Sequence, residues 1–307
     1  MITTVCMNPS FDKTAVVDRI VTGGVNRLRD VRYDVGGKGI NVAIVSQRLN
    51  INVTCVGCLG TSDEQEFMDM VRQDNLTFRY LRLPGKTRTN MKILDLDTKA
   101  VTEFNEPGLS MDAEQLTVFL ELLKSEASES RFVVLSGRLP IGCPDDTYQR
   151  CMAVLPGKSC ILDAAGNPLL LGLKEKPYLI KPNLPELEAL MGKELKTLRA
   201  IRDAALIMIQ YGAQNVIVSM GKYGAIFTDG KHTLFAPALS VEARSTVGAG
   251  DAMIGGVLMG LDHGETLEDS LRYGVAAGAA SVMTNGTQLI TVHDFEALLP
   301  KVNLQEL

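Results

Sequence analysis

The chain has 307 residues, 46% hydrophobic and 22% charged, a make-up that lets a globular protein bury a large core. Its formal net charge of −5 argues against a nucleic-acid or anionic-membrane surface as the main partner, leaving room for a local basic pocket. The 6 cysteines are scattered through a long chain, so they read as reduced thiols rather than a disulfide framework.

Met1-Ile2-Thr3-Thr4-Val5 has no basic region followed by an apolar run, and no stretch of roughly 18 apolar residues occurs. A cytoplasmic protein without membrane or nucleic-acid partners is expected. The apolar start runs into Asn8-Pro9-Ser10-Phe11-Asp12, a polar cluster at the C-terminal end of a first strand. In doubly wound sheets that edge binds ligands, although a lone Asp there also makes turns. Residues 14–35 are charged and alternating, with Val31, Tyr33 and Val35 separated by Arg32 and Asp34. A helix over 39–49 and a strand over 53–57 follow. Alternation returns in 78–104, as in Met91-Lys92-Ile93-Leu94-Asp95. Period two fits antiparallel strands with one wet face. The two excursions, 14–35 and 77–104, therefore predict a small β-sheet lid beside a body made of 1–13, 36–76 and 105–307.

In the body, buried strands are expected at 132–135, 160–162, 178–180 and 216–218. Helical patterns fall at 112–125, 144–155, 185–191 and 197–211, and then at 249–261, 267–283 and 292–299. Strand–helix alternation of this kind predicts an α/β fold with a mainly parallel sheet flanked by helices.

Two Gly-rich turns open helices. Ser245-Thr246-Val247-Gly248-Ala249-Gly250-Asp251 leads into an apolar helix, so its N–H groups and the positive helix end form an anion site. Asp251 is repulsive beside a phosphate unless it accepts a proton there; the alternative is a helix cap. Gly36-Gly37-Lys38-Gly39-Ile40-Asn41 places a point charge and an amide at a second helix start, or simply makes a tight turn. Neither turn is a dinucleotide fingerprint or a P-loop: Met253 occupies the third Gly position, and Arg32 stands six residues before Lys38. Asn183 and Glu186, three apart after Lys181, suit water-held Mg²⁺ or a capping box. Ser219, Gly221 and Gly224 form a loop between two strands, which makes a hairpin or lies along a nucleotide. Ser136-Gly137-Arg138 ends another strand, and Arg88 sits in the lid; either Arg suits a phosphate or a surface. Cys55 and Cys58 lie three apart on a strand, so they face opposite ways and form no pair. His232, His263 and His293 adjoin none of these motifs.

The order of these signals resembles the PfkB family of ribokinase-fold sugar kinases over essentially the whole chain. The start at 8–12 and the glycine–alanine form of 245–251 are similar to the branch acting on ketohexose monophosphates. The resemblance implies ATP-dependent phosphorylation, with fructose 1-phosphate as first acceptor and tagatose 6-phosphate as second, and Mg²⁺ as cofactor. It makes Asp251 the base and the backbone of Gly248, Ala249 and Gly250 the anion hole. Asp12, Gly37, Lys38 and Asn41 would hold the sugar, and Arg88, Ser136 and Arg138 its phosphate. Asn183 and Glu186 would organise Mg²⁺; Lys181, Asn183, Ser219, Gly221, Gly224 and Asn285 would line ATP. A homodimer through the lid is implied too. A kinase of unphosphorylated sugars leaves Lys38 and Arg88 without an anion, and a non-catalytic sugar-phosphate sensor leaves Asp251 without a task.

Overall fold

The buried apolar run at the start of the chain forms the centre of the molecule. The computed structural model describes residues 1–284, 286 and 288–307. In chain order it runs β1 (Ile2–Cys6), β2 (Ser10–Val17), β3 (Arg29–Gly36), α1 (Lys38–Arg48), β4 (Val53–Gly60), α2 (Glu64–Gln73), β5 (Thr77–Leu83), β6 (Arg88–Asp95) and β7 (Val101–Asn105). Then come α3 (Ala113–Glu126), β8 (Phe132–Ser136), α4 (Thr147–Ala153), β9 (Ser159–Asp163), α5 (Asn167–Gly172), β10 (Leu179–Ile180), α6 (Leu184–Met191) and α7 (Leu198–Gln210). The chain closes with β11 (Val216–Ser219), β12 (Ala225–Thr228), β13 (Thr233–Ala236), α8 (Ala249–Asp262), α9 (Leu267–Val282), α10 (Val292–Leu298) and β14 (Gln305–Glu306).

Among the described residues, 10 strands form one sheet in the order β14-β13-β12-β11-β10-β9-β8-β1-β4-β5. Every neighbour pair from β5 to β11 is parallel, and β11 to β14 are antiparallel. Such strands are buried on both sides, so alternate residues feed two separate cores. Ile2 and Cys55 join the layer of α1, α2, α8, α9 and α10; Val5 and Cys58 join that of α3 to α7. The opposite facing of Cys55 and Cys58 follows directly. No helix among the described residues is long and apolar enough to cross a membrane.

The small sheet has the order β3-β2-β6-β7. Its outer pairs are antiparallel and its central pair, β2–β6, is parallel. Two expectations need correction. Residues 77–83 belong to the large sheet, because β5 pairs with β4 along its whole length. Residues 10–13, expected in the body, begin the lid strand β2. The alternation in 78–83 marks a half-exposed edge of the main sheet, a pattern indistinguishable from that of a lid strand. Helices α2 and α5 were not foreseen, and the helix expected at 144–155 is shorter. Pro144 to Asp146 make turns before α4 begins.

β1 has β4 on one side and β8 on the other, so the chain reverses direction across the sheet there. Ligands bind outside the carboxyl ends of strands at such a point. Gly39 fixes the seating of α1 on that edge. A Cβ there would lie 2.2 Å from the Val5 carbonyl oxygen, so only Gly lets the helix start approach β1.

Candidate active site

α8 begins without a side-chain cap. Gly248, its N-cap, has φ 77°, a left-handed conformation that other residues adopt only with strain. The first-turn amides of a helix lack intrahelical partners. Here the N–H groups of Gly248, Gly250 and Asp251 have none among the described residues, whereas that of Ala249 donates to the Thr246 carbonyl at 3.4 Å. The amides left open to an anion at this turn are thus those of 248, 250 and 251. Lys181 lies beside them, with its Nζ 3.2 Å from where a Cβ on Gly250 would stand.

Asp251 lies in the first turn of this helix, 6% exposed. Its Oδ2 accepts a 2.8 Å hydrogen bond from Asn41 Nδ2, joining α8 to α1. Burial raises its pKa from the ordinary carboxylate range to about 6, although Lys38, Asn41 and Lys181 pull it down. Such a group is ionised at neutral pH yet basic enough to take a proton. Asp251 thus stands where either a base or a helix-end charge would, and α8 has no side-chain capping bond.

Lys38 and Lys181 converge on a residue that sequence reasoning missed. Asp163, at the end of β9, is 1% exposed. Its Oδ2 accepts from Lys38 Nζ at 3.3 Å, and its Oδ1 lies 3.5 Å from Lys181 Nζ without a hydrogen bond. Burial pushes the Asp163 pKa up, but the two ammonium groups hold it below the usual range. Burial likewise lowers that of Lys38, yet Asp163, Asp251 and Glu186 keep it above normal. Asp251, Asp163 and Lys38 are thus charged near neutral pH. The signal available was position: Asp163 follows a strand run, as Asp12 does.

Asp12 is also brought to this edge, but not alone. Its carboxylate accepts from Ser10 Oγ at 2.8 Å, Asn90 Nδ2 at 3.1 Å and Lys92 Nζ at 2.5 Å. Asn90 and Lys92 were not singled out in the sequence. They follow Arg88 at two-residue steps on β6, a spacing that puts all three on one face. Gly37 caps α1 with φ 113°. Arg88 is buried and donates to the carbonyls of Asn8, Pro9 and Glu106 at 3.1 to 3.4 Å. Arg138 is exposed, and Ser136 is buried with no partner for its hydroxyl.

Asn183 and Glu186 form the capping box of α6: Asn183 Oδ1 accepts from the Glu186 amide and Glu186 Oε2 from the Asn183 amide, both at 2.9 Å. The structure thus gives Asn183 a capping role and leaves the second oxygen of Glu186 free among the described residues. Asn183 also bridges Ser219 at the end of β11. Gly221 and Gly224 follow in the β11–β12 hairpin, where Gly224 packs on the Ala236 carbonyl and Gly221 faces open space. Asn285 lies outside the described residues. No cluster of three or more metal-ligating side chains occurs among the described residues.

A buried carboxylate at a helix start with open amides, two lysines nearby and a lid sheet opposite suits phosphoryl transfer to an alcohol. Comparison with known proteins points the same way. The family model "pfkB family carbohydrate kinase" matches residues 6–293. A 1-phosphofructokinase of Xanthomonas campestris is 35% identical over 94% of this chain and 93% of its own. One from Bacillus subtilis is 33% identical over 100% of both. The crystal structure of phosphofructokinase-2 from Escherichia coli with substrates and products superposes with a TM-score of 0.91 at 29% identity, covering 98% of each chain. With its ribokinase-like fold and this site, the chain belongs to the pfkB family of carbohydrate kinases, enzymes that phosphorylate sugars with ATP.

Proposed function

We propose that this kinase transfers the terminal phosphoryl group of ATP to the 6-hydroxyl of fructose 1-phosphate, giving fructose 1,6-bisphosphate. The observation that carries the reading is the buried Asp251 carboxylate, held by Asn41 beside the open amides of the α8 turn. The full-length identity to 1-phosphofructokinases supports the choice of sugar.

In this reading the Asp251 carboxylate takes the proton of the attacking hydroxyl. The amides of Gly248 and Gly250, with Lys181 and Lys38, hold the transferring group's negative charge. Asp12 accepts from sugar hydroxyls, and Gly37 and Asn41 close that side. Arg88, Arg138 and the unpartnered Ser136 hydroxyl receive the standing phosphate. Ser219, Gly221 and Gly224 line ATP. Asn183 and Glu186 would organise Mg²⁺ largely through water, Glu186 with the carboxylate oxygen that its capping bond leaves free among the described residues. When bound, the ion would neutralise charge on the nucleotide.

The test is ADP release with fructose 1-phosphate, fructose 6-phosphate, tagatose 6-phosphate and ribose. Fructose 1-phosphate gives the highest kcat/KM. If no ketohexose monophosphate releases ADP, the reading fails, and tight binding without release would indicate a sensor.

The lid supports a homodimer. Its edge strands β3 and β7 expose Val31, Tyr33 and Phe104, the last two at 52% and 59%. Apolar side chains grouped on an edge are normally covered by a partner. Sedimentation equilibrium should give twice the chain mass, and Phe104→Asp should halve it. A wild-type monomer at micromolar concentration contradicts this.

A further inference from the structure

Lys92 is the least expected charge in the molecule. It lies on the central strand pair of the lid, 5% exposed, and a lysine is rarely buried this deeply. Among the described residues its one hydrogen-bond and ion-pair partner is Asp12 Oδ2 at 2.5 Å. An ammonium group has three N–H donors, so two remain without a protein acceptor among the described residues. Leaving such donors in protein interior is costly unless a ligand or water meets them.

The surrounding face repeats the pattern. Asp12 is opposite Asn90, and Thr14 opposite Lys92, in the β2–β6 register, so all four side chains share one side of the sheet. The Thr14 hydroxyl and the Asn90 carbonyl oxygen are both buried without partners. Thr14 and Lys92 line a cavity of about 370 Å³ between the lid and residues Ser245 and Val247, next to the α8 turn. Two of the residues with unmatched groups, Thr14 and Lys92, therefore line the space beside the α8 turn.

Charge decides what they receive. Lys92 is matched by Asp12 at 2.5 Å and Arg32 by Asp34 at 2.6 Å, while Arg244 and Asp30 add one charge of each sign to the cavity wall. With the partners Asp12 and Asp34 counted, these groups sum to no excess positive charge for a phosphate. Arg88 and Arg138 have no carboxylate within ion-pair distance among the described residues, so the anion belongs at their end. A neutral pair offering a donor and an acceptor side by side suits adjacent oxygens of a polyol. One hydroxyl donates to the free lone pair of Asp12 Oδ2, and its neighbour accepts from Lys92.

We propose that Lys92 is a substrate-binding and specificity-determining residue, which with Asp12 grips two neighbouring ring hydroxyls of the ketose. This rests on the sugar-phosphate kinase reading above. The experiment crosses substrate and protein deletions. Wild type and Lys92→Met are each assayed with the sugar phosphate that wild type turns over best and with its 3-deoxy and 4-deoxy analogues. In wild type, removal of the gripped hydroxyl lowers kcat/KM on the order of 10- to 100-fold, the range for a hydrogen bond to a charged group. In Lys92→Met the same removal costs less than about 3-fold, because the donor is already gone. Equal penalties in both proteins, for both analogues, overturn the proposal. So does a Lys92→Met defect that disappears when the sugar lacks its phosphate. If Lys92→Met fails to fold, the cross is run with Asp12→Asn/Lys92→Met, which removes both buried charges together. Failure of the kinase reading shows separately, as no ADP release by wild type with any sugar phosphate.

Discussion

Asp251→Asn should lose on the order of 10²–10⁴ in kcat, the usual range for removing a general base. The same substitution should make the protein more stable at neutral pH. The folded-state pKa of Asp251 is raised to about 6 by burial. Between the unfolded value near 4 and the folded value near 6, the folded chain binds more protons, so stability falls as pH rises. Above pH 6 the full cost of burying the charge remains, on the order of 3 kcal/mol at 1.36 kcal/mol per pH unit. Asparagine removes that cost, and the gap should close below about pH 4, where the carboxyl is protonated in both states. Urea midpoints at pH 4 and 8, with turnover at pH 8, measure both effects. In wild type, kcat/KM should fall as pH drops through about 6, because the protonated carboxyl accepts no proton. A carboxylate serving only the helix end would behave in reverse: its loss would destabilise by about 0.3–1 kcal/mol and spare turnover.

Asp163→Ala should cost about 3–5 kcal/mol of stability, the range for removing one partner of a buried ionic group. Lys181 is 4% exposed, and Asp163 is its one carboxylate within ion-pair distance among the described residues. Lys38, which is more exposed, would also lose its anchor. Turnover should fall as well, since both ammonium groups then move from the α8 turn. Adding Lys181→Met to Asp163→Ala should restore part of the stability, because no unpaired ammonium stays buried there, but not the activity. A urea midpoint for Asp163→Ala within about 1 kcal/mol of wild type would show that the two lysines do not depend on it. Since the pKa of Asp163 is held below the ordinary value, its stabilising effect is present above about pH 4 and lost as pH falls further.

The sequence by itself determined the elements whose signals are local. The apolar runs of β8, β9 and β11 and the periodic stretches of α3, α7, α8 and α9 stand within a residue or two of expectation, because period and end signals act within a few residues. Asp112 illustrates this, as its side chain forms the capping box that starts α3. The two glycine turns, Lys38, Asn41 and Asp251 were legible for the same reason, since backbone constraints at a helix start are written in adjacent residues. The resemblance of the whole series to one family then supplied the reaction.

Tertiary structure alone decided which sheet an alternating stretch joins and which charges meet. Nothing in 77–83 distinguishes an edge of the main sheet from a lid strand; the pairing of β5 with β4 does. Asp163 gained its importance from Lys38, 125 residues away, and Lys181, and Asp12 from Lys92, 80 residues away. The capping box of Asn183 and Glu186 is local by contrast, because that bond is geometrically available whenever the helix forms. Ion pairs across large sequence separations leave no local pattern: their energies depend on burial and distance, which only the folded chain sets.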